Sequence, residues 1–372
     1  MNQDLRYILA LMTIKGIGSI RARHLIEAFG SAQAVFEADA SLITQIPSIS
    51  QALLEGRNNQ KIFQQADQEL QFIEQHHIKT LLYGQEGYPH RLLDCPDAPT
   101  LLFQVGQTNL DATRIVSIVG TRNCTQYGRD MVHRFVKELK EMVPEVIIIS
   151  GLALGIDVES HKASLDNDVP TVGVVAHGMD RIYPSQHRSI AQQMVKQGGS
   201  ILGERTTYDP FERSCFLSRN RIIAGLADAT IVAESKSKGG SLVTASIAND
   251  YGRDIFAFPG RVGDSRSEGC NRLIRLNRAG LITCAQDFVE AMNWDTAANG
   301  THAIQQSIPF EEENLSPTQR LILDALRDQG DLRASQLSDV TNLDHATLLE
   351  ELLDLEMNGK IRNCPGGIYQ LR

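Results

Sequence analysis

The hydrophobic pattern changes character along the chain. Residues 1–75 contain short amphipathic stretches, which predict a small helical domain. From Arg114 onward, short β-branched runs alternate with stretches of helical spacing. The runs are RIVSIVG, VIIIS, PTVGVVA, SILGE, DATIVAE and DIFAFPG. Because each run is too apolar for a half-exposed strand, they predict a Rossmann-like, doubly wound α/β core with a mostly parallel sheet covered on both faces.

The pattern changes again after the core. Residues 292–314 are polar and lack periodicity, which predicts a linker. Residues 315–372 contain three helical stretches and two strand-like ones, the order of a winged helix. The predicted organisation is therefore a helical domain at 1–75, an extended Rossmann-like core at 76–291, the linker and a winged helix.

The third helix of this winged helix is acidic. It has no basic residue before Lys360, and its acidic residues are Asp344, Glu350, Glu351, Asp354 and Glu356. A phosphate backbone would be repelled by such a surface. The pattern therefore predicts that the module binds protein, or nothing, rather than duplex DNA.

A possible turn of the helix-hairpin-helix or SAM-like type lies in the first domain. The segment 14–18, Ile-Lys-Gly-Ile-Gly, precedes the amphipathic run SIRARHLIEAFG. Glycines in such a turn let backbone N–H groups approach a phosphate. A simple packing turn explains the same residues, and both interpretations stay open.

Composition favours a multidomain protein of 372 residues, with 42% hydrophobic and 22% charged residues. The net charge of −9 is unevenly spread, since residues 113–290 carry 22 basic and 20 acidic groups whereas 311–372 carry 6 and 12. Any site for a polyanion is therefore expected in the core.

The six cysteines form no C-x-x-C pair, and no signal peptide or long apolar run is present. These features predict a cytoplasmic protein without a metal site or a membrane span.

The first core strand leads directly into Gly120-Thr121-Arg122, ahead of a helix expected from about Gly128. Glycine permits close approach of a phosphate, the helix start offers free N–H groups, and arginine adds a planar, always charged guanidinium. These features predict a phosphate-binding site. A plain turn with a paired arginine is the alternative.

Further loops follow the other strands, and carboxyl ends of parallel strands share one rim. The loops that begin at Ser150, Gly178 and Lys236 all contain glycine, and the segment 216–221 contributes two arginines. The candidate phosphate-binding residues are Gly120, Thr121, Arg122, Gly151, Gly155, Arg181, Arg188, Arg219, Asn220, Arg221, Lys238, Gly239, Gly240 and Ser241.

Signatures of the common enzymes on this fold are missing. The sequence has no P-loop, no G-x-G-x-x-G after the first strand, no G-x-S-x-G and no H-E-x-x-H. His161 and His177 stand near Asp157 and Asp180, but helix capping and incidental histidines are favoured over an acid–base pair. The alternative function is a nucleotide-processing hydrolase with Asp157 or Glu234 as its acid or base.

Six segments in order resemble the DNA-processing protein A (DprA, or Smf) family. They are SIVGTRNCTQYG, SGLALGIDVESH, GMDRIYPSQHRSIA, FLSRNRIIAGLA, GGSLVTASIANDYGRDIFAFPG and EGCNRLI, and the resemblance covers essentially the whole chain. It implies a dimeric, non-catalytic mediator without a cofactor. Such a mediator binds and protects incoming single-stranded DNA and loads the recombinase RecA during natural transformation.

The resemblance also assigns residues. The family's glycine–Ser/Thr–arginine contact matches Gly120, Thr121 and Arg122, its R-N-R-I-I arginines match Arg219 and Arg221, and its G-G-S/A-L-x-T-A loop matches residues 239–245. A basic residue commonly follows Tyr-Pro in the family, whereas Ser185-Gln186-His187 stands here. Arg181 or Arg188 is the candidate to replace it.

Overall fold

A computed structural model describes residues 3–14, 16–44, 56–57, 59–294, 315–330, 332–364 and 368–371. The chain divides into two compact units, which comprise residues 1–299 and residues 300–372. Most of the predicted linker, residues 295–314, lies outside the described residues. The predicted boundary at residue 75 falls inside the first unit and stays a prediction.

The first unit begins with a helical region that packs on the edge of the core sheet. Its helices are α1 (Gln3–Thr13), α2 (Ser19–Phe29), α3 (Ala32–Glu37), α4 (Ala40–Thr44) and α5 (Gln60–Gln75). Leu9, Leu25 and Ile62 share one hydrophobic cluster with Leu101 and Phe103 of the sheet. Burial of these side chains joins the helical region to the core.

A nine-stranded sheet forms the centre of this unit. Its order is β1-β2-β6-β5-β4-β3-β7-β8-β9, and the strands from β6 to β9 are parallel while β1 and β2 are antiparallel. The strands are β1 (Lys79–Leu82), β2 (Leu101–Gly106), β3 (Ile115–Val119), β4 (Ile147–Ser150), β5 (Thr171–Val174), β6 (Ser200–Gly203), β7 (Ala229–Val232), β8 (Asp254–Ala257) and β9 (Gly280–Leu281). The predicted mostly parallel α/β core is confirmed.

Helices cover both faces of the sheet, which explains why the strands are apolar throughout. In β3, Ile115 and Val119 pack into one buried cluster whereas Val116 and Ile118 pack into another. The covering helices are α6 (His90–Leu93), α7 (Gln126–Met142), α8 (Ile156–Asp166), α9 (Arg188–Lys196), α10 (Arg213–Leu226), α11 (Gly240–Asp250), α12 (Glu268–Arg275) and α13 (Ala285–Ala291). No helix among the described residues is long and apolar enough to span a bilayer.

The strand order reverses next to β3. From β3 the chain continues through β4, β5 and β6 on one side, and then returns to place β7 and β8 on the other. Ligands of open α/β sheets bind in the crevice outside the carboxyl ends of the strands at such a switch point. The loops after β3 and β7 border this crevice.

The second unit has the predicted winged-helix fold. It contains α14 (Pro317–Gln329), β10 (Leu332–Arg333), α15 (Ala334–Thr341), α16 (His345–Met357), β11 (Ile361–Cys364) and β12 (Ile368–Leu371), with sheet order β10-β12-β11. Ser316 caps α14 and Asp344 caps α16 through their side-chain oxygens. Leu323, Leu337 and Leu352 belong to its buried core.

Candidate nucleic-acid interface

An open groove of about 870 Å³ lies at the switch point. It is bordered by the loops after β3, β4, β5 and β7 and by one side of α10. The lining residues that carry polar or aromatic groups are Thr121, Arg122, Asn123, Asp157, Tyr183, Arg213, Ser214, Phe216, Arg219, Asn220, Lys236, Lys238, Ser241 and Thr244. The groove is therefore richer in cationic groups than in carboxylates, which suits an anionic ligand.

The loop after β3 is held rigidly from both sides. On one side, the Thr121 N–H donates to the Glu234 carbonyl at 2.8 Å, and Thr125 donates its N–H and hydroxyl to the Glu234 carboxylate at 2.8 and 2.5 Å. On the other side, a Cβ at Gly155, which has a φ of +78°, would lie 2.2 Å from the Thr121 carbonyl oxygen. Only glycine fits there, and its close approach fixes the backbone that carries Arg122.

Arg122 projects from this rigid loop into the groove. Its side chain is exposed, and its guanidinium lies 5.1 Å from the centre of the Phe216 ring on α10. No carboxylate within the described part of the chain forms a salt bridge with it. A cation over an aromatic face remains available to a phosphate or a base.

Phe216 belongs to an aromatic cluster that sequence reasoning missed. The rings of Tyr183, Phe211 and Phe216 contact one another, with centroids 5.1 to 5.9 Å apart. Tyr183 is 50% exposed and Leu217 is 53% exposed at the same surface. The cluster supplies a local apolar surface beside Arg122 on which bases can stack.

Arg219 lies at the floor of the groove and is almost wholly buried. It is 5% exposed, donates from Nη1 to the Val174 carbonyl, and lies close to Asp157 behind Gly151. Burial lowers the pKa of Arg219 to about 10, while the charge of Asp157 opposes that shift. Arg219 thus stays cationic at neutral pH, and its Nε has no hydrogen-bond partner among the described residues.

The loop after β7 adds an uncapped helix start. α11 begins at Gly240, and its N-cap Gly239 provides no side-chain cap. Lys236 and Lys238 are exposed beside it. The Ser241 hydroxyl donates to the Ser235 hydroxyl at 2.9 Å, so it contributes to the loop's own structure. The backbone start of α11 and the two lysines are what this loop offers to an anion.

Two family models match the chain. A model described as DNA recombination-mediator protein A matches residues 79–293, and a model described as the DprA winged helix domain matches residues 308–367. The chain belongs to the DNA recombination-mediator protein A family. The resemblance inferred from the sequence motifs is therefore confirmed.

Curated relatives and solved structures agree with this family. Protein Smf of Synechocystis is 29% identical over the whole of both chains, and Protein Smf of Escherichia coli is 33% identical over 80% of this chain and 78% of that one. DNA processing protein A of Streptococcus pneumoniae superimposes with a TM-score of 0.61 at 30% identity, covering 77% of this chain and 97% of that one. A Helicobacter pylori structure reported for its single-stranded DNA binding mode gives 0.52 at 30% identity, covering 58% and 95%.

The family's R-N-R segment does not bring both arginines to the groove. Arg221 lies on another side of α10, where it forms a salt bridge with Glu204 at 2.5 Å and lies 3.7 Å from Asp97. Residues two apart on a helix face different directions. Arg219 is therefore buried at the floor of the groove, whereas Arg221 lines a separate cavity near residues 16–21. A DNA contact by either arginine stays a prediction.

Neither candidate replacement for the family's basic residue after Tyr-Pro lines the groove. Arg181 is exposed and bonded to Asp180 at 2.7 Å, and Arg188 begins α9. Arg213, which was not predicted, does line the groove, one turn before Phe216.

Of the predicted glycines, Gly151 borders a smaller adjoining pocket and Gly155 lies behind the Arg122 loop. The remaining predicted residues line the groove.

The histidines considered above for acid–base chemistry and the carboxylates of Asp157 and Glu234 are buried, and hydrogen bonds hold Glu234 and His177 in place. Both oxygens of the buried Glu234 accept hydrogen bonds from Thr125, and His177 bonds the Gly178 carbonyl and accepts from the Tyr183 N–H. Burial lowers the pKa of His161 to about 3 and raises the pKa of Asp157. Among the described residues, no group of three side chains is placed to hold a metal ion.

Proposed function

We propose that this chain binds single-stranded DNA in the groove at the switch point and acts there as a recombination mediator. The observation that carries the proposal is Arg122, an exposed cation on a rigid loop, set against Phe216 and without a salt bridge to any described residue. Phosphates bind Arg122, Arg213 and the lysines after β7, and bases stack on the aromatic cluster. Arg219 adds positive charge from below.

The shape of the site favours a single strand over a duplex. Aromatic rings beside the cations can be used only by bases that are not already stacked in a helix. The Helicobacter pylori relative, whose structure is described by its single-stranded DNA binding mode, supports the same choice.

We further propose that the bound strand is protected and transferred to RecA in the cytoplasm, by a homodimer, during natural transformation. This follows the role that the family resemblance implies. In this proposal the site binds without catalysis, which is supported by the structural hydrogen bonds of Glu234 and His177 and by the position of Asp157 against the buried Arg219. Loading of RecA onto strands coated with single-stranded DNA binding protein, with and without the chain, tests the transfer step.

The binding step is tested by measuring affinity for oligothymidylate and for a blunt duplex over a range of salt concentrations. We expect preference for the single strand and a slope of log affinity against log salt near −0.7 for each phosphate contacted. A flat slope, or equal affinity for the duplex, would contradict the proposal. Release of free base from nucleotide monophosphates would instead support a hydrolase.

A further inference from the structure

The winged helix exposes a row of apolar side chains along α16. Leu349, Leu353 and Met357 are 42%, 60% and 79% exposed, the last two among the most exposed large apolar residues of the described chain. Their spacing of four residues places them on one face at 3.6 residues per turn. The buried residues of the same helix, Leu348 and Leu352, belong to the module's core, so the exposed row is additional to what the fold needs.

Carboxylates border this row on both sides. At helical spacing, Glu350 and Asp354 fall on one border of the row and Glu356 falls on the other. Asp354 accepts a hydrogen bond from the Gln319 side chain at 2.7 Å, and Glu356 accepts from the Asn363 N–H at 3.3 Å. Both of these donors are neutral, so the contacts orient the carboxylates without cancelling their charge.

The carboxylates beside the exposed row on α16 argue against several candidate binding partners. In helix-turn-helix folds, the corresponding helix enters the major groove of DNA, but this one would meet phosphates with carboxylates. Anionic membranes are repelled for the same reason. A second copy of the module has the same excess of acidic groups, and the chain's own residues 295–314 contain no Lys or Arg. None of these surfaces complements an acidic border.

We propose that the exposed face of α16 is a docking surface for a basic amphipathic helix of a partner protein. Such a helix has an apolar row for Leu349, Leu353 and Met357, and Lys or Arg on both borders for the carboxylates. Met357 adapts to the shape of the incoming side chains. The surface gives the module a role in protein recruitment that is independent of the DNA groove.

The test uses the full chain and a defined probe, a fluorescent 18-residue Leu/Lys peptide designed as an amphipathic helix. A scrambled peptide of the same composition and a Leu/Glu version are the peptide controls. We expect the helical Leu/Lys peptide to bind, the scrambled one to bind at least about tenfold more weakly, and the Leu/Glu version not to bind. The combined change Leu349→Ser and Leu353→Ser should weaken binding about tenfold or more, because both side chains are in the row.

Leu321→Ser is the matched control, since Leu321 is 47% exposed on α14 outside the row. It should leave binding unchanged. Glu350→Lys keeps the row intact and should weaken binding at low salt but much less at high salt. Unaltered thermal unfolding verifies that each variant folds, as expected for exposed positions.

Three results would overturn the proposal. The first is equal binding of the helical and scrambled peptides. The second is binding that persists in the Leu349→Ser, Leu353→Ser variant. The third is self-association of the wild type, seen by sedimentation and lost in that variant, which would assign the face to a second copy of the chain.

Discussion

The Rossmann-like core and the winged helix both have folds that bind nucleic acids, yet they expose opposite chemistry. The core groove has Arg122, Arg213 and two lysines around glycine loops, with an aromatic cluster beside them. The equivalent exposed surface of the winged helix has leucines between carboxylates. From this contrast we expect that charge on the exposed side chains, rather than fold, decides which module binds DNA.

The largest expected effect comes from Arg122→Ala. We expect affinity for single-stranded DNA to fall roughly 10- to 100-fold, because a hydrogen bond from a charged group contributes about 1.5–3 kcal/mol. The magnitude of the salt slope should decrease by about 0.7 because one phosphate contact is lost. Fluorescence anisotropy over a salt series measures both quantities.

Two arginines serve as controls for that change. Arg181→Ala removes an exposed arginine outside the groove and should leave the slope unchanged. Arg221→Ala leaves Glu204 unpaired in a largely buried site, so it should lower the free energy of unfolding by about 3 kcal/mol with an unchanged slope. A slope that falls equally in all three variants would contradict a specific contact at Arg122.

Phe216→Ala tests the apolar half of the groove. Loss of one stacked base should weaken binding by about 1–3 kcal/mol while the salt slope stays the same. Tyr208→Ala is the matched control, because Tyr208 is an exposed aromatic residue that does not line the groove. If affinity were unchanged in Phe216→Ala, phosphate contacts alone would account for binding.

Gly155→Ala tests whether the rigid loop matters. The new Cβ would lie 2.2 Å from the Thr121 carbonyl oxygen, so the Arg122 loop must shift and affinity should fall several-fold. Gly198→Ala is a close match, with φ of +83° but no atom within 4 Å of the added Cβ. Both changes should lower the free energy of unfolding by about 1–3 kcal/mol of backbone strain, and Gly155→Ala by more because of its clash with the Thr121 carbonyl. Only Gly155→Ala should weaken DNA binding by the folded protein.

The smallest expected effect is that of removing residues 315–372. Because this module is acidic, its removal should leave the affinity for single-stranded DNA unchanged or raise it slightly at low salt. Titrations of the full and shortened chains at two salt concentrations measure the difference. A loss of tenfold or more would mean that the winged helix binds the strand itself.

The sequence predicted much of the fold because its apolar runs are unambiguous. All six runs after Arg114 became parallel strands, and the winged helix has the predicted order. The antiparallel pair β1 and β2 was not predicted, since β1 is four residues long and its pairing with Leu101–Gly106 depends on a contact distant in sequence. Short edge strands leave little periodicity to detect.

The site was predicted in part. The loop at Arg122 followed from a glycine after a buried strand, which is a local pattern. Arg219 and Arg221 are neighbours in sequence, but the helical twist separates their side chains and burial decides the role of each. The aromatic cluster was missed because an overall content of 6% aromatics does not reveal that Tyr183, Phe211 and Phe216 meet.

The central claim is that Arg122 and the loop after β7 hold the phosphates of a single strand. A crystal structure with a short oligothymidylate tests it most directly. We expect a phosphate within hydrogen-bond distance of the Arg122 guanidinium, a second near the start of α11, and a base against Phe216. DNA bound elsewhere on the protein, with no phosphate near the Arg122 guanidinium, would contradict the account.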